Sequence, residues 1–286
     1  MMTTYGLCDV ISTETIAEML DTVRVLIRAL AAGVIILALY GGCGTTPVEP
    51  PRRENVLQRI LPSAVQIILE NPEGRRVRTG SGVAIASRGS ECFVVTSGHT
   101  VAGVIGRSEI SLLFGRQRGA GTRASATVLA HRETEDVDIA LLSAQSDQCM
   151  PARPAAGPEL GEAVWVIGFP WGRNMLLASG IVSQVSFGDA ADGESQSRLM
   201  VDASVSYGSS GGGVYEARGG GLLGLVEGYR TARVTSKGTE QPWYIDVPVP
   251  GQTLVTPLTD IRRFLADTGH ADLIEGASSS AGRAAR

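Results

Sequence analysis

Apolar residues along this chain gather in short runs, and the runs are closed by glycine or by polar turn residues. Ala64-Val65-Gln66-Ile67-Ile68-Leu69, Cys92-Phe93-Val94-Val95-Thr96, Asp138-Ile139-Ala140-Leu141-Leu142 and Ala163-Val164-Trp165-Val166-Ile167 are of this kind. Runs of that length, rich in β-branched residues, predict strands rather than helices. The pattern places strands at 64–70, 76–87, 91–97, 109–115, 122–130 and 138–144, enough for one barrel. A second set falls at 163–168, 176–187, 197–203, 212–217, 221–229 and 243–249. Short, evenly spaced strands with Gly-rich turns predict an all-β barrel or sandwich. The period changes once. Leu258, Ile261, Phe264 and Leu265 share one face of a helix, with Thr256 placed to cap it, Pro257 suited to its first turn and Gly269 to its end.

The N-terminal stretch reads differently. Residues 1–18 are polar; Arg24 and Arg28 then precede an uncharged run over 29–42, and Cys43 follows. A helix over that run rises about 21 Å, short of the ~30 Å hydrocarbon core of a bilayer. Positive residues, a short apolar stretch and small residues mark a secretory signal. Small residues directly before a cysteine resemble a bacterial lipoprotein signal, with Cys43 as the lipidated residue. A plain transmembrane anchor, lengthened through Val23 to Ile27, is the other reading. Either way 1–43 is expected to bring the chain to a membrane, and the Pro-rich 44–55 to act as a semi-extended tether. The folded domain is expected over 56–269, and 270–286 reads as a disordered tail.

Composition narrows the chemistry. With 43% hydrophobic and 19% charged residues a sizeable core is available, and 36 glycines suit many tight turns. A net charge of −4 offers no electrostatic footprint for nucleic acid. The three histidines and four cysteines form no close pairs, so neither a metal nor a cofactor is expected.

The stretch Tyr207-Gly208-Ser209-Ser210-Gly211-Gly212-Gly213 is either a plain Gly/Ser turn or a nucleophile loop. A serine hydroxyl needs a base beside it and N–H donors for the oxyanion formed on attack. His99 ends an apolar run and Asp138 opens another. The order His99, Asp138, Ser210 is that of the chymotrypsin-type triad. Asp136 is the nearest rival acid. His131 reads as a solvated strand-end residue and His270 as an exposed one. The serine also fits a G-x-S-x-G elbow, but that fold needs Asp and then His after the serine, where only His270 stands.

Gly80-Ser81-Gly82-Val83, Thr96-Ser97-Gly98-His99, Asp138-Ile139-Ala140-Leu141-Leu142, Ile167-Gly168-Phe169-Pro170-Trp171-Gly172, Gly180-Ile181-Val182-Ser183 and Asp202-Ala203 leading to Gly208-Ser209-Ser210-Gly211-Gly212 together resemble the bacterial HtrA-type (Deg) trypsin-like serine proteases, over roughly residues 54 to 268. The resemblance implies two six-stranded Greek-key β-barrels of chymotrypsin type with a C-terminal helix and the active site between them. It implies His99 as base, Asp138 as its orienter and Ser210 as nucleophile, with an oxyanion hole at Gly208 and Ser210 and Ser209 between them. Ser209 replaces the acid that pairs with a freed N-terminus in zymogen-activated trypsins, so activation by N-terminal cleavage is not expected. A substrate pocket is implied with its base near Ser204 and its wall along Val226, Glu227, Gly228 and Tyr229. The strands near Cys92 and Cys149 are antiparallel neighbours in such a fold, so these cysteines form either a disulfide or two buried thiols. Most HtrA-type proteins carry a C-terminal peptide-binding PDZ domain, for which residues after 269 leave no room, and most are trimers. The expected function is endoproteolysis of unfolded polypeptides in a bacterial envelope, facing the periplasm. The alternative is a catalytically silent, envelope-tethered binding protein of the same fold.

Overall fold

In the computed structural model the described residues are 22–26, 28, 53–103, 106, 108–134, 137–186, 198–236 and 243–274. The chain forms two compact units, Met1–Glu49 and Pro50–Arg286. In the first, residues 22–26 are helical; among the described residues no helix is long and apolar enough to cross a membrane. Cys43, Asp136 and the tail beyond residue 274 lie outside the described residues.

The second unit opens with helix α1 (Arg53–Ile60) and continues with twelve strands. The first six are β1 (Ala64–Glu70), β2 (Arg76–Arg88), β3 (Glu91–Thr96), β4 (Glu109–Phe114), β5 (Thr122–Glu133) and β6 (Asp138–Gln145), with the one-turn helix α2 (Gly98–Val101) after β3. They close into an antiparallel barrel in the order β1-β2-β3-β6-β5-β4. The next six are β7 (Ala163–Gly168), β8 (Leu176–Ser186), β9 (Arg198–Val201), β10 (Gly213–Glu216), β11 (Leu222–Thr235) and β12 (Tyr244–Pro257). They close as β7-β8-β9-β12-β11-β10, the same topology repeated. The fold is therefore the two-barrel Greek-key architecture, and the barrel-or-sandwich alternative resolves to barrels.

Burial explains the runs. β5 alternates exposed and half-buried positions, as a strand with one solvated face does. β3, β6 and β7 are buried on nearly every residue. Each fills its own barrel with one face and packs outward with the other. Val94, Leu142 and Ala140 belong to the core of the first barrel. Phe93, Val95, Ile139 and Leu141, one residue out of step, join Trp165, Ile167, Phe169 and Tyr215 in a core between the barrels. Val56 and Ile60 of α1 extend that core, as do Leu258, Ile261, Phe264 and Leu265 of α3 (Leu258–Asp267). Each such side chain, fully buried, contributes about 1.5–3 kcal/mol.

Two details depart from expectation. Pro257, not Thr256, stands at the N-cap of α3, with no side-chain cap hydrogen bond. Thr256 Oγ1 donates instead to Glu227 Oε2, 3.5 Å away on the neighbouring strand. The C-terminus of α3 closes as foreseen: Gly269 has φ +80°, and the N–H groups of Gly269 and His270 return to the Ala266 and Leu265 carbonyls. β11 and β12 also run further than their apolar stretches, pairing from Gly224↔Pro257 out to Thr235↔Tyr244. The outer part is a two-stranded ribbon exposed on both faces; its β12 half falls in the strand expected at 243–249, while its β11 half lies beyond the expected 221–229 and β12 runs on past 249 to Pro257.

Cys92 on β3 and Cys149 after β6 are bonded, with Cα atoms 5.6 Å apart and a sequence separation of 57. Closing a loop of that length removes about 4 kcal/mol of unfolded-state entropy. Reduction, or Cys149→Ser, is expected to lower unfolding stability by up to that amount. Denaturant melts with and without reductant measure it, and identical midpoints would show that the bond is not formed in solution.

Candidate active site

His99 stands on α2, immediately beyond the buried end of β3, and Asp138 is the first residue of β6. β3 and β6 are neighbours, with Thr96 opposite Ala140, so the turn after one lies beside the start of the other. Gly98 makes the approach close enough. A Cβ there would lie 2.4 Å from the Arg132 carbonyl oxygen and 2.9 Å from Asp138 Oδ1. Asp138 grips His99 with both carboxylate oxygens. Oδ1 accepts the His99 backbone N–H at 2.7 Å and Oδ2 lies 2.6 Å from Nδ1. An ionised carboxylate only accepts, so Nδ1 carries the proton and Nε2 keeps its lone pair. The His99 side chain is 42% exposed and Asp138 only 13%, so the pair opens to solvent on the histidine side.

The pKa of His99 is raised from 6.5, chiefly by the hydrogen bond to Asp138. Burial opposes this, the charges of Asp138 and Glu133 reinforce it, and Arg78 works against it.

Ser210 comes from the other barrel, on the loop before β10. The loop is tied by Gly211 N–H to Val226 O at 2.7 Å, Gly212 N–H to Ser209 O at 2.8 Å and Ser209 N–H to Ser206 O at 2.9 Å. Gly211 has φ +80°, and a Cβ there would meet Ser81 O and Thr96 Oγ1, each at 2.2 Å. No other residue fits. Ser210 Oγ donates to the Glu227 carbonyl at 3.3 Å, and no hydrogen bond joins it to His99 in this state. Both side chains line one cavity of about 630 Å³.

The carbonyl of Tyr207 accepts the Trp171 N–H at 2.7 Å. In a trans peptide N–H and C=O point opposite ways, so the Gly208 N–H is directed away from Trp171. Neither the Gly208 nor the Ser210 N–H has an acceptor among the described residues, and both residues line the cavity. Ser209 is buried between the two donors and offers no N–H to the cavity, because its own N–H is spent on Ser206, whose N–H its hydroxyl accepts at 3.3 Å. Trp171 is the one non-glycine residue with positive φ (57°) among the described residues. Its ring lies 5.4 Å from that of Tyr207.

These arrangements coincide with a family relationship. Residues 80–225 match the trypsin-like peptidase domain. The chain belongs to that family. Among its relatives is the magnetosome formation protease MamE of Paramagnetospirillum magneticum, 30% identical over 203 residues, which are 69% of this chain and 25% of that protein. Another is the chloroplastic protease Do-like 1 of Arabidopsis thaliana, 26% identical over 187 residues, 64% of this chain and 38% of that one. The chain thus spans between a quarter and two-fifths of the length of these relatives. Both are proteases, in keeping with the resemblance to the HtrA type. A serine endoprotease from Yersinia pestis has the same fold, with a TM-score of 0.57 and 19% identity over 77% of this chain and 67% of its own.

Within this peptidase domain His99, Ser210, Gly208, Val226, Glu227, Gly228 and Tyr229 all line the cavity. Ser204 does not. Ala203 is buried in the second barrel's core, so its neighbour Ser204 points out to solvent, and Val205 and Ser206 line the cavity in its place. His131 is exposed on β5, and His270 Nδ1 faces Thr268 Oγ1 at 3.3 Å beyond α3; neither reaches the cavity. Two residues inside quoted motifs have roles that their motifs did not announce. Ser81 Oγ donates to Gly208 O at 2.7 Å and accepts the Phe169 N–H at 2.8 Å, while its N–H donates to Ser210 O at 2.9 Å. Trp171 holds the carbonyl of Tyr207. The signal was Ser81 between Gly80 and Gly82 and Trp171 between Pro170 and Gly172, contexts that mark a tight contact without saying with what.

A carboxylate beside the imidazole favours the protonated form. His99 should therefore hold its proton above 6.5, and the neutral base should be lost as pH falls through that raised value. NMR titration of the imidazole is expected to show this, with the midpoint falling in Asp138→Asn. A midpoint at or below 6.5 in the wild type would contradict the hydrogen-bonded pair.

Proposed function

We propose that the domain is a serine endopeptidase working through Ser210, His99 and Asp138. The observation that carries this reading is the two-oxygen grip of Asp138 on His99, which leaves Nε2 basic in the cavity that Ser210 enters from the second barrel. Substrate binding turns the Ser210 hydroxyl from the Glu227 carbonyl toward Nε2, which takes its proton as Oγ attacks the scissile carbonyl. The Gly208 and Ser210 N–H groups receive the oxyanion, each such donor being worth ~2.7–4 kcal/mol of barrier. The imidazolium then protonates the departing amine, and water, activated by the same base, releases the acyl group from Ser210. Asp138 stabilises the imidazolium and keeps its tautomer throughout.

Ser210→Ala is expected to reduce kcat/KM on a casein-derived peptide by on the order of 10⁶-fold while leaving the melting curve nearly unchanged. A fluorophosphonate should label wild type and not the variant. Absence of labelling in the folded wild type would favour the silent binding protein instead.

The side chain before the cleaved bond enters the pocket made by Val205, Ser206, Val226, Gly228 and Tyr229. That lining is small and largely apolar, and the Glu227 carboxylate is drawn toward Thr256. Val, Ala, Ile or Leu is therefore the expected residue there, with shallow selectivity, since each methylene discriminates by about 1–3 kcal/mol. A peptide-library digest tests this. Predominant cleavage after Lys or Arg, lost in Glu227→Gln, would instead place Glu227 in the pocket.

The setting we propose is a bacterial envelope, with the N-terminal segment as lipid or membrane anchor through Cys43 and unfolded envelope proteins as substrates. The support is the charge and hydropathy pattern of residues 19–43 together with the relationship to Do-like proteases.

A further inference from the structure

The two sides of the catalytic cavity differ in charge. On the second-barrel side the lining includes two acids, Glu227 and Asp246. Glu227 accepts from Thr256, and Asp246 is held by Arg233 through two hydrogen bonds, 2.8 and 3.0 Å. On the first-barrel side the lining is Arg78, Thr79, His99 and Thr100, none of which carries a carboxylate.

Arg78 is exposed near the outer end of β2, and its Nη1 donates to the carbonyls of His99 and Ala102. Arg76, two residues further out, donates from Nη1 to Gly172 O at 3.1 Å. The next carbonyl, Arg173 O, accepts Nη2 of Arg116 at 3.2 Å. Gly172 lies against β2 itself, for a Cβ on it would stand 2.5 Å from Thr79 Oγ1. Arginines thus bind the segment after Trp171 to the first barrel, beside the cavity.

Backbone carbonyls orient a guanidinium without cancelling its charge. Among the described residues neither Arg76 nor Arg78 forms an ion pair. Glu70, opposite Arg76 in register, is bonded to Arg123 instead. Both arginines spend Nη1 and leave the same edge, Nε and Nη2, without an acceptor among the described residues. That edge is a two-donor fork of the shape that a carboxylate accepts. The cations stand in a chain whose net charge is −4, so they are a local feature and not a generally basic surface. The charge of Arg78 is felt at the imidazole of His99, whose protonation it opposes.

We propose that Arg78 and Arg76 form an acidic-residue subsite, which receives Asp or Glu side chains of the polypeptide just downstream of the cleaved bond. The inference rests on the peptidase reading above. The direction follows from the chemistry. The leaving amine takes its proton from His99, so the chain that it begins passes out on the first-barrel side, where Arg78 lies. Arg76 stands about 7 Å further along the strand, the spacing of alternate side chains in an extended substrate. Both guanidinium groups are already pinned, so pairing orders little besides the substrate side chain. Exposed ion pairs are weak and salt-screened. The subsite therefore ranks substrates by charge and leaves the upstream pocket to place the bond.

The test is a set of C-terminally amidated fluorogenic peptides with one upstream half and with Glu, Ala or Lys at each early downstream position in turn. At the best position Glu should exceed Lys in kcat/KM by at least about tenfold at low salt. The ratio should approach one in about 1 M salt, where the screening length is about 3 Å. Arg76→Glu and Arg78→Glu should each lower the ratio, and the double variant should invert it. Each enzyme is compared with itself, so a general loss of activity does not enter. Arg76→Glu, which gives up only the bond to Gly172, keeps the test open if Arg78→Glu does not fold. Fluorescence anisotropy on Ser210→Ala should rank the peptides in the same order. A wild type that cleaves all of them equally, a ratio unchanged in both variants, or an equal gain from Glu placed upstream would overturn the subsite and leave the peptidase reading intact. Charge-selective binding that depends on Arg76 and Arg78, without hydrolysis by wild type, would uphold the subsite and remove the peptidase reading.

Discussion

Ser81 ties the two barrels together at the point where they must agree. It sits on β2 of the first barrel, is almost fully buried, and bonds through its N–H and hydroxyl to three residues on two segments of the second, Gly208 and Ser210 of the serine loop and Phe169 after β7. Its carbonyl accepts the Thr96 hydroxyl at 2.7 Å, which links the same residue back to the strand that leads to His99. Ser97 Oγ adds a bond to Val226 O at 3.0 Å, from the histidine turn to the wall of the cavity. Histidine and serine come from separately closed barrels, so nothing within either barrel sets their separation. A network of satisfied, buried hydrogen bonds does so, because breaking any one leaves a polar group without a partner at a cost of about 1–3 kcal/mol.

The apolar packing around this knot serves the same end. The interbarrel core is built from the second faces of β3, β6 and β7, of which β3 leads into the turn of His99 and β6 begins at Asp138. Strands buried on both faces cannot slip register by one residue without exchanging two apolar sets of different shape. The positions of Asp138 at the start of β6 and of His99 after β3 are therefore held by packing on both sides. The electrostatics act on top of that frame. A carboxylate that is nearly buried, yet bonded by two donors from one residue, orients the imidazole and stabilises its charged form.

The loops obey a different constraint, close approach. Gly98 and Gly211 lie where any side chain would collide with backbone of a neighbouring segment. Trp171 shows the opposite device. A bulky residue is held at positive φ, a conformation costing of order 1–3 kcal/mol, and its N–H fixes the Tyr207 carbonyl so that the next N–H faces the cavity. Strain at that position and the bond it makes belong together.

The sequence by itself determined most of the fold. Twelve strands, their ends mostly within a few residues, and the C-terminal helix were legible because each strand buries a face and so leaves a hydrophobic run. His99 and Asp138 stand out as candidates because each lies at the edge of such a run, and Ser210 because it lies among glycines, while the resemblance to HtrA-type proteases supplied the closure into two barrels. What stayed hidden was whatever depends on which groups meet across the fold. Ser204 seemed the base of the pocket until alternation around the buried Ala203 turned it outward. Thr256 seemed a helix cap until the carboxylate of Glu227 offered its hydroxyl another partner. The β12 half of the outer ribbon was legible at 243–249, but its β11 half beyond Tyr229 was not, since a ribbon solvated on both faces places little apolar demand on side chains such as those of Arg230-Thr231-Ala232-Arg233. Periodicity records burial, and burial is largely local to a strand. Hydrogen-bond partners and side-chain direction past a strand end are relations between distant segments, and these were decided only when the two barrels closed against each other.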